Sequence, residues 1–415
     1  MKRFLALFLM VTLLASCMVF AQADDKTSLT VWIPQYQFSK DENAISDIDF
    51  WNGILADFAE ENNVDVHVEI LPWSDYNTTI YTGLLNNDGP DVVYVTDNYD
   101  LVKNNLLLGL DSYLTDEEKD NYLLWDIGPV NAEGEHVIVP MDDGIAPGYY
   151  NKDILAEAGI DAFPETWEDF LAASKAIQEK TGKQAFLQNW GATSGTSALM
   201  LAFWPYYFQA GGKMLDENGE ISIDNEAGLA ALNFLKSFYD EGIFDDTIVS
   251  ESESIDKFAA GELAFVVADM NKGNTFTNNG VNWEYFFSLK GAAGYGARTA
   301  TDSFAVAAKS KERGTDALAV KALTLITSGA TMDAFHEQVF ALPRFTKDSV
   351  YTNNPAYDAL VSAHTDAVYV VSEFEGKASF EDALQANIQM MFMGDLTPEE
   401  VLSETMSYYV DQIKQ

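Results

Sequence analysis

Between Leu29 and Val95 the apolar residues switch repeatedly between two periods, and that alternation restricts the possible folds more than any other feature of the chain. Leu29-Thr30-Val31-Trp32-Ile33 reads as a strand stopped by Pro34. Phe50, Ile54, Leu55 and Phe58 share one helical face. Val64, Val66, Val68 and Ile70 alternate with Asp65, His67 and Glu69, the pattern of a half-buried strand. The spacing predicts a second helix over 76–86, and Asp88-Gly89-Pro90 then turns into a strand at Asp91–Val95. Strand, helix, strand, helix, strand is the signature of an α/β fold with a largely parallel sheet covered on both faces.

Further strands are expected at Glu135–Pro140, Leu263–Ala268 and Ser303–Ala308. Thr166 stands three residues before Asp169, a helix-start pattern, and the helix it opens buries Trp167, Phe170, Leu171 and Ile177 before Gly182 ends it. Later helices are predicted over 226–241, 315–328, 331–339, 380–393 and 398–413. Asp216-Glu217-Asn218-Gly219 reads as a turn and not a calcium loop, because the Gly comes too early and the closing Glu is missing. With no internal repeat and no long Gly/Ser linker, two α/β lobes joined by short crossings are expected.

The 24 Lys and Arg face 65 Asp and Glu, a formal charge of −41. That excludes binding to nucleic acid, which rests on cations neutralising phosphates, and adhesion to anionic lipid through basic patches. Hydrophobic residues make up 47% of the chain, too many for a disordered acidic polymer. At the N-terminus, Lys2 and Arg3 precede an apolar run to Phe20 and then Ala21-Gln22-Ala23, which reads as an export signal over residues 1–23. Leu14-Ala15-Ser16-Cys17 offers a second cut, after residue 16, with Cys17 lipidated. Cys17 is the only cysteine, so the exported fold has neither a disulfide nor a thiol nucleophile.

Catalytic patterns are missing. His67, His136, His336 and His364 have no metal-site spacing, and there is no Gly-x-Ser-x-Gly elbow or P-loop. Adjacent acids such as Asp142-Asp143 and Asp245-Asp246 arise by chance at this acid content. No catalytic residue, metal or cofactor is expected.

Several segments, in order, resemble the bacterial extracellular solute-binding proteins of ABC importers, in particular the maltose-binding-protein-like, sugar-binding group. They are Pro90–Val95, Val139–Gly144, Gly148–Leu155, Phe163–Phe170, Phe258–Phe265 and Leu396–Leu402. The resemblance implies a periplasmic-binding-protein-like fold. Two lobes would close on a solute, an oligosaccharide in the first instance, in a monomer that serves a membrane permease. It places one lobe over 24–141 plus 303–342 and the other over 146–298 plus 346–415. The hinge crossings would lie near 142–146, 297–303 and 342–345.

A sugar site combines aromatic platforms with carboxylates, amides and Arg, and open α/β sheets bind at the carboxyl ends of their strands. On those grounds Trp32 at the end of the first strand is a candidate, with Gln35 and Tyr36 in the loop that follows, and Asp97 and Asn98 after Asp91–Val95. Asp142 and Asp143 lie at the first crossing, and Arg298 and Asp302 at the second. Asp269 and Asn271 occupy a loop where the family often carries an aromatic, a departure that weighs against a maltodextrin. Trp190, Tyr207 and Phe380 complete the set. Two alternatives stay open: the same fold binding a peptide or polyamine, and a secreted glycosidase with a carboxylate pair.

Overall fold

The computed structural model describes residues 26–36, 45–73, 76–96, 99–188, 190–191, 195–216, 218–244, 251–270, 272–339, 346–350 and 355–414. Lobe 1 opens with β1 (Thr27–Pro34), and the helix Asp47–Glu61 carries the chain back to β2 (Val64–Leu71). The Ser46 hydroxyl starts that helix by accepting the Asp49 N–H. The helix Tyr76–Leu85 then leads to β3 (Val92–Val95). These strands are parallel, with β1 in the middle. Leu29, Val31 and Ile33 of β1 are fully buried in a core shared with Phe50, Leu55 and Phe58.

β4 (Ile138–Ile145) takes the chain out of lobe 1, and β5 (Gly148–Asn151) starts lobe 2. Asn151 ends β5 and caps the next helix, its side chain accepting the N–H groups of Asp153 and Ile154. β6 (Gln184–Phe186), β7 (Leu263–Val267) and β8 (Trp283–Phe286) complete a sheet of order β6-β7-β5-β8. Here only β6 and β7 are parallel, and β5 runs antiparallel to both neighbours, so this sheet is mixed. The helix Trp167–Thr181 begins on Thr166 and stops at Gly182 in the left-handed conformation, φ +68°. A short ribbon, β9 (Lys290–Gly291) with β10 (Gly294–Tyr295), precedes β11 (Ala297–Val306), which returns to lobe 1. β12 (Val368–Val370) lies parallel to the start of β11.

β4 and β11 both extend beyond the stretches expected from periodicity. The extra residues, 141–145 and 297–302, run Met-Asp-Asp-Gly-Ile and Ala-Arg-Thr-Ala-Thr-Asp, so the apolar alternation stops while the ladder continues. Paired antiparallel, β4 and β11 form one ribbon between the lobes. One core combines residues between Leu29 and Val139 with Phe304–Phe335, and the other combines Ile154–Leu289 with Val371–Tyr409. Each lobe is therefore built from separate parts of the chain. The export segment with Cys17 lies outside the described residues, as do residues 342–345. The crossing expected at 342–345 is a correction: Thr346 bridges Tyr122, the Lys347 N–H donates to the Asn121 carbonyl at 2.8 Å and the Val350 N–H to Asp333, so residues 346–350 still belong to lobe 1 and lobe 2 resumes with the helix Pro355–Ser362.

A buried carboxylate ties the two parts of lobe 1 together. Asp91 Oδ2 accepts the Thr30 N–H at 3.0 Å. Its Oδ1 accepts from Ser310 at 2.8 Å, Thr315 at 2.5 Å and Arg313 Nη2 at 2.7 Å. Removing one member of a buried, hydrogen-bonded ion pair leaves the other uncompensated. Asp91→Ala is expected to lower the unfolding free energy by about 3–5 kcal/mol, read from urea denaturation.

His336 is fully buried among the lobe 1 helices, and burial pushes its pKa down to about 4, with Asp333 opposing. The unfolded chain takes up the proton first, so stability is intact above pH 6.5 and falls as pH drops toward 4. The loss reaches roughly 3 kcal/mol. His336→Gln should remove that component, seen as a flatter difference in urea-derived stability between pH 6.5 and 4.

Candidate functional site at the carboxyl edge of lobe 1

β1, β2 and β3 end at one edge, and β11 runs past it on its way from lobe 2. Ser303 pairs with Val95 at the end of β3, so Asp302 lies one residue beyond the edge. Gln35 extends the β1–β2 pairing by donating its N–H to the Leu71 carbonyl at 2.8 Å, which leaves its side chain exposed. Tyr36 then turns onto the sheet end. Its hydroxyl donates to the Tyr94 hydroxyl at 2.7 Å, and Tyr94 donates to Asp302 Oδ2 at 2.5 Å. Tyr76 donates to the Tyr94 carbonyl at 2.8 Å.

Trp73 stands on these tyrosines, 5.8 Å from Tyr36, 5.3 Å from Tyr76 and 6.2 Å from Tyr94 between ring centroids. It remains 46% exposed. An indole held from beneath and open above is a stacking surface that loses little freedom when a ring settles on it.

Burial pushes the Tyr94 phenol well above its usual value, helped by the charge of Asp302, so it stays a donor. Burial also raises Asp302, and Asp269 adds to the rise, while the Tyr94 hydrogen bond and Arg298 oppose it. Asp269 follows β7 of lobe 2 and is exposed, its carbonyl held by the Tyr149 hydroxyl at 2.8 Å. An acid carried by lobe 2 thus bears on the carboxylate of Asp302. Buried Arg298 Nε has no hydrogen-bond partner among the described residues. Arg298 also borders a cavity of about 40 Å³ inside lobe 2, beside Phe170, Phe186 and Phe286. That space suits a water or two, not a sugar ring.

Of the residues expected at the site, the structure brings Tyr36, Arg298, Asp302 and Asp269 together, with Gln35 nearby. Trp32 is a correction. It lies two residues before the end of β1 and packs on the helix Tyr76–Leu85, where a Cβ on Gly83 would come within 2.3 Å of its ring. Trp190 is also a correction: it is buried against Phe392 at 5.2 Å, and its carbonyl accepts from Gln389. Tyr207 is buried beneath Gly212, its hydroxyl on the Lys213 carbonyl at 2.8 Å. Phe380 is buried between Phe374 and Tyr409. These rings fill the lobe 2 core because large aromatics supply most of its apolar area. Asp97, Asn98 and Asn271 lie outside the described residues, as do the side chains of Asp142 and Asp143, whose backbone belongs to β4. Trp73, Tyr76 and Tyr94 were missed. The strand-end rule that picked Tyr36 applies equally to Trp73, two residues beyond β2.

The family profile described as bacterial extracellular solute-binding protein matches residues 44–332. The chain belongs to this family. A binding protein of Brucella abortus is 23% identical over 357 residues, which cover 83% of this chain and 85% of the relative. An arabinooligosaccharide-binding protein of Halalkalibacterium halodurans is 34% identical over 104 residues, 25% of this chain and 22% of that protein. Among solved structures, the GacH receptor of Streptomyces glaucescens, studied unliganded and with acarbose, superposes with a TM-score of 0.73. The match covers 94% of this chain and 99% of that one at 20% identity, a likeness of fold. Among the described residues of this solute-binding protein, no helix is long and apolar enough to cross a membrane. No group of three or more His, Cys, Asp or Glu among them is placed to hold a metal.

The tyrosine relay makes a specific electrostatic prediction. Tyr94→Phe removes the hydrogen bond that favours the charged form of Asp302, so the Asp302 midpoint should move further above the usual carboxylate range. Carbon-detected NMR titration of the Asp302 carboxyl reads this directly, and a midpoint that falls contradicts the geometry.

Proposed function

We propose that this protein is the extracytoplasmic capture component of an ABC import system, that it takes a carbohydrate, an oligosaccharide, between its lobes, and that it hands the sugar to a membrane permease. The observation that carries the reading is Trp73, half exposed on its tyrosine support, of which Tyr94 leads on to the Asp302 carboxylate. A sugar has apolar ring faces for the indole and hydroxyls for carboxylate and guanidinium. The sugar-binding names among the relatives support the same solute class.

In this reading residues 24–141 plus 303–350 and 146–298 plus 355–415 are the two jaws, and the β4–β11 ribbon is their hinge. Gln35, Tyr36, Trp73 and Asp302 contact the sugar from lobe 1, with Asp97 and Asn98. Asp269 and Asn271 approach from lobe 2, and Asp142, Asp143 and Arg298 from the ribbon. The protein binds without turnover. It acts as a monomer, either free after a cut at residue 23 or held at the outer face of the membrane through lipidated Cys17.

The test is calorimetry and thermal shift over arabino-, galacto- and malto-oligosaccharides and lactose. A sugar at ~100 times its dissociation constant adds about 2.7 kcal/mol to the folded state. Trp73→Ala should weaken that binding by about 1–3 kcal/mol and leave the urea midpoint of the unliganded protein unchanged. Silence across the whole array, or a Trp73→Ala protein that binds as tightly as the native one, defeats the proposal.

A further inference from the structure

A small apolar cluster of Ile145, Met270, Phe287, Ala297, Tyr357 and Ala367 belongs to neither lobe core. It gathers the lobe 2 ends of both crossing strands, Ile145 of β4 and Ala297 of β11. Here the two-stranded ribbon gains a third strand, because β12 pairs with β11 over Ala297–Thr299. On the side of β4, Tyr357 takes the place of a fourth. Its hydroxyl accepts the Ile145 N–H at 2.9 Å and donates to the Ile145 carbonyl at 3.0 Å. One phenol thus satisfies both backbone groups of a buried strand residue, as one residue of an edge strand would.

Tyr357 is carried by the helix Pro355–Ser362, which packs on β8, and its ring meets Tyr285 at 6.3 Å. The grip therefore anchors β4 to the sheet of lobe 2. Immediately toward lobe 1 the ribbon loses register. Ile145 pairs with Thr299 and Asp142 with Thr301, so β4 advances one residue more than β11. Such a bulge disrupts the ladder locally and lets the strand bend. A braced root thus adjoins a weakened stretch.

We infer that Tyr357 pins the crossing ribbon to lobe 2, so that movement of the jaws bends the ribbon at the bulge and not at its root. This rests on the two-jaw reading given above. Tyr357 is a positioning residue. Met270 shares its cluster and follows Asp269, so the same pin also sets the lobe 2 wall of the cleft relative to the hinge.

The experiment uses the unliganded protein and needs no sugar, so a failed sugar screen leaves it intact. Tyr357→Phe keeps the ring and removes both hydrogen bonds. Tyr122→Phe is the control, since it deletes a buried hydroxyl bonded to Thr327 at 2.7 Å inside lobe 1. Hydrogen exchange over residues 144–147 should quicken roughly tenfold in Tyr357→Phe, and small-angle scattering should show a larger radius of gyration. The control should change neither, even where its urea midpoint falls as far. In the native protein the Ile145 amide should exchange more slowly than those of residues 142–144, a measurement that stands if the variant fails to fold. An Ile145 amide no slower than its neighbours overturns the pin, as does a Tyr357→Phe protein with faster exchange and an unchanged radius of gyration.

Discussion

The antiparallel pairing of β4 with β11 is the constraint on which the rest of the architecture depends. Two crossing strands that bond to each other cannot move independently, so at this crossing the lobes are joined by a sheet. The same pairing fixes the site. Asp302 opposite Met141, and Ser303 opposite Val95, bring one carboxylate just past the end of the parallel strands and under the Tyr94 hydroxyl. A slip of one residue would turn Asp302 to the other face of the sheet and break the relay.

Outside the ribbon, contact between the lobes includes Lys103 and Glu375, 2.5 Å apart and about half exposed. Exposed pairs of this kind contribute little, so the jaws are bridged there without being locked. The strong polar grips, by contrast, lie within lobes. Asp91 holds lobe 1 to itself, and the buried Trp204 indole donates to Glu381 at 2.8 Å within lobe 2. Rigid lobes and a weakly held gap are the mechanical requirements of a closing cleft.

The fold was legible where burial imposes a period. β1, β2, β3 and their two helices could be read nearly to the residue, because each presents an apolar face to one core. The crossing strands were not, since residues 141–144 and 298–302 carry no apolar alternation. At the site, position along the chain was a better guide than side-chain type. Tyr36 follows from where β1 stops, and Asp302 from its place at the second crossing. Trp32 was chosen because it ends the first strand and Trp190 because tryptophan in a polar loop suits a sugar, yet their surroundings are a helix opened by Gly83 and a core beside Phe392. Neither partner is adjacent in sequence, so nothing local distinguishes such a tryptophan from Trp73. Tyr94 is harder still: it is a core residue whose hydroxyl alone reaches the edge.

The reach of Asp91 across the chain has a consequence for synthesis. Arg313 lies 222 residues beyond it. At about 5–20 residues per second, roughly 10–45 seconds separate the two as they leave the ribosome. For that interval β3 has neither β11 on its open edge nor a cation for its carboxylate. Lobe 1, though its first strand is made almost at once, therefore stays incomplete until its second part has been made, and until then the nascent chain remains a substrate for machinery that handles unfolded protein.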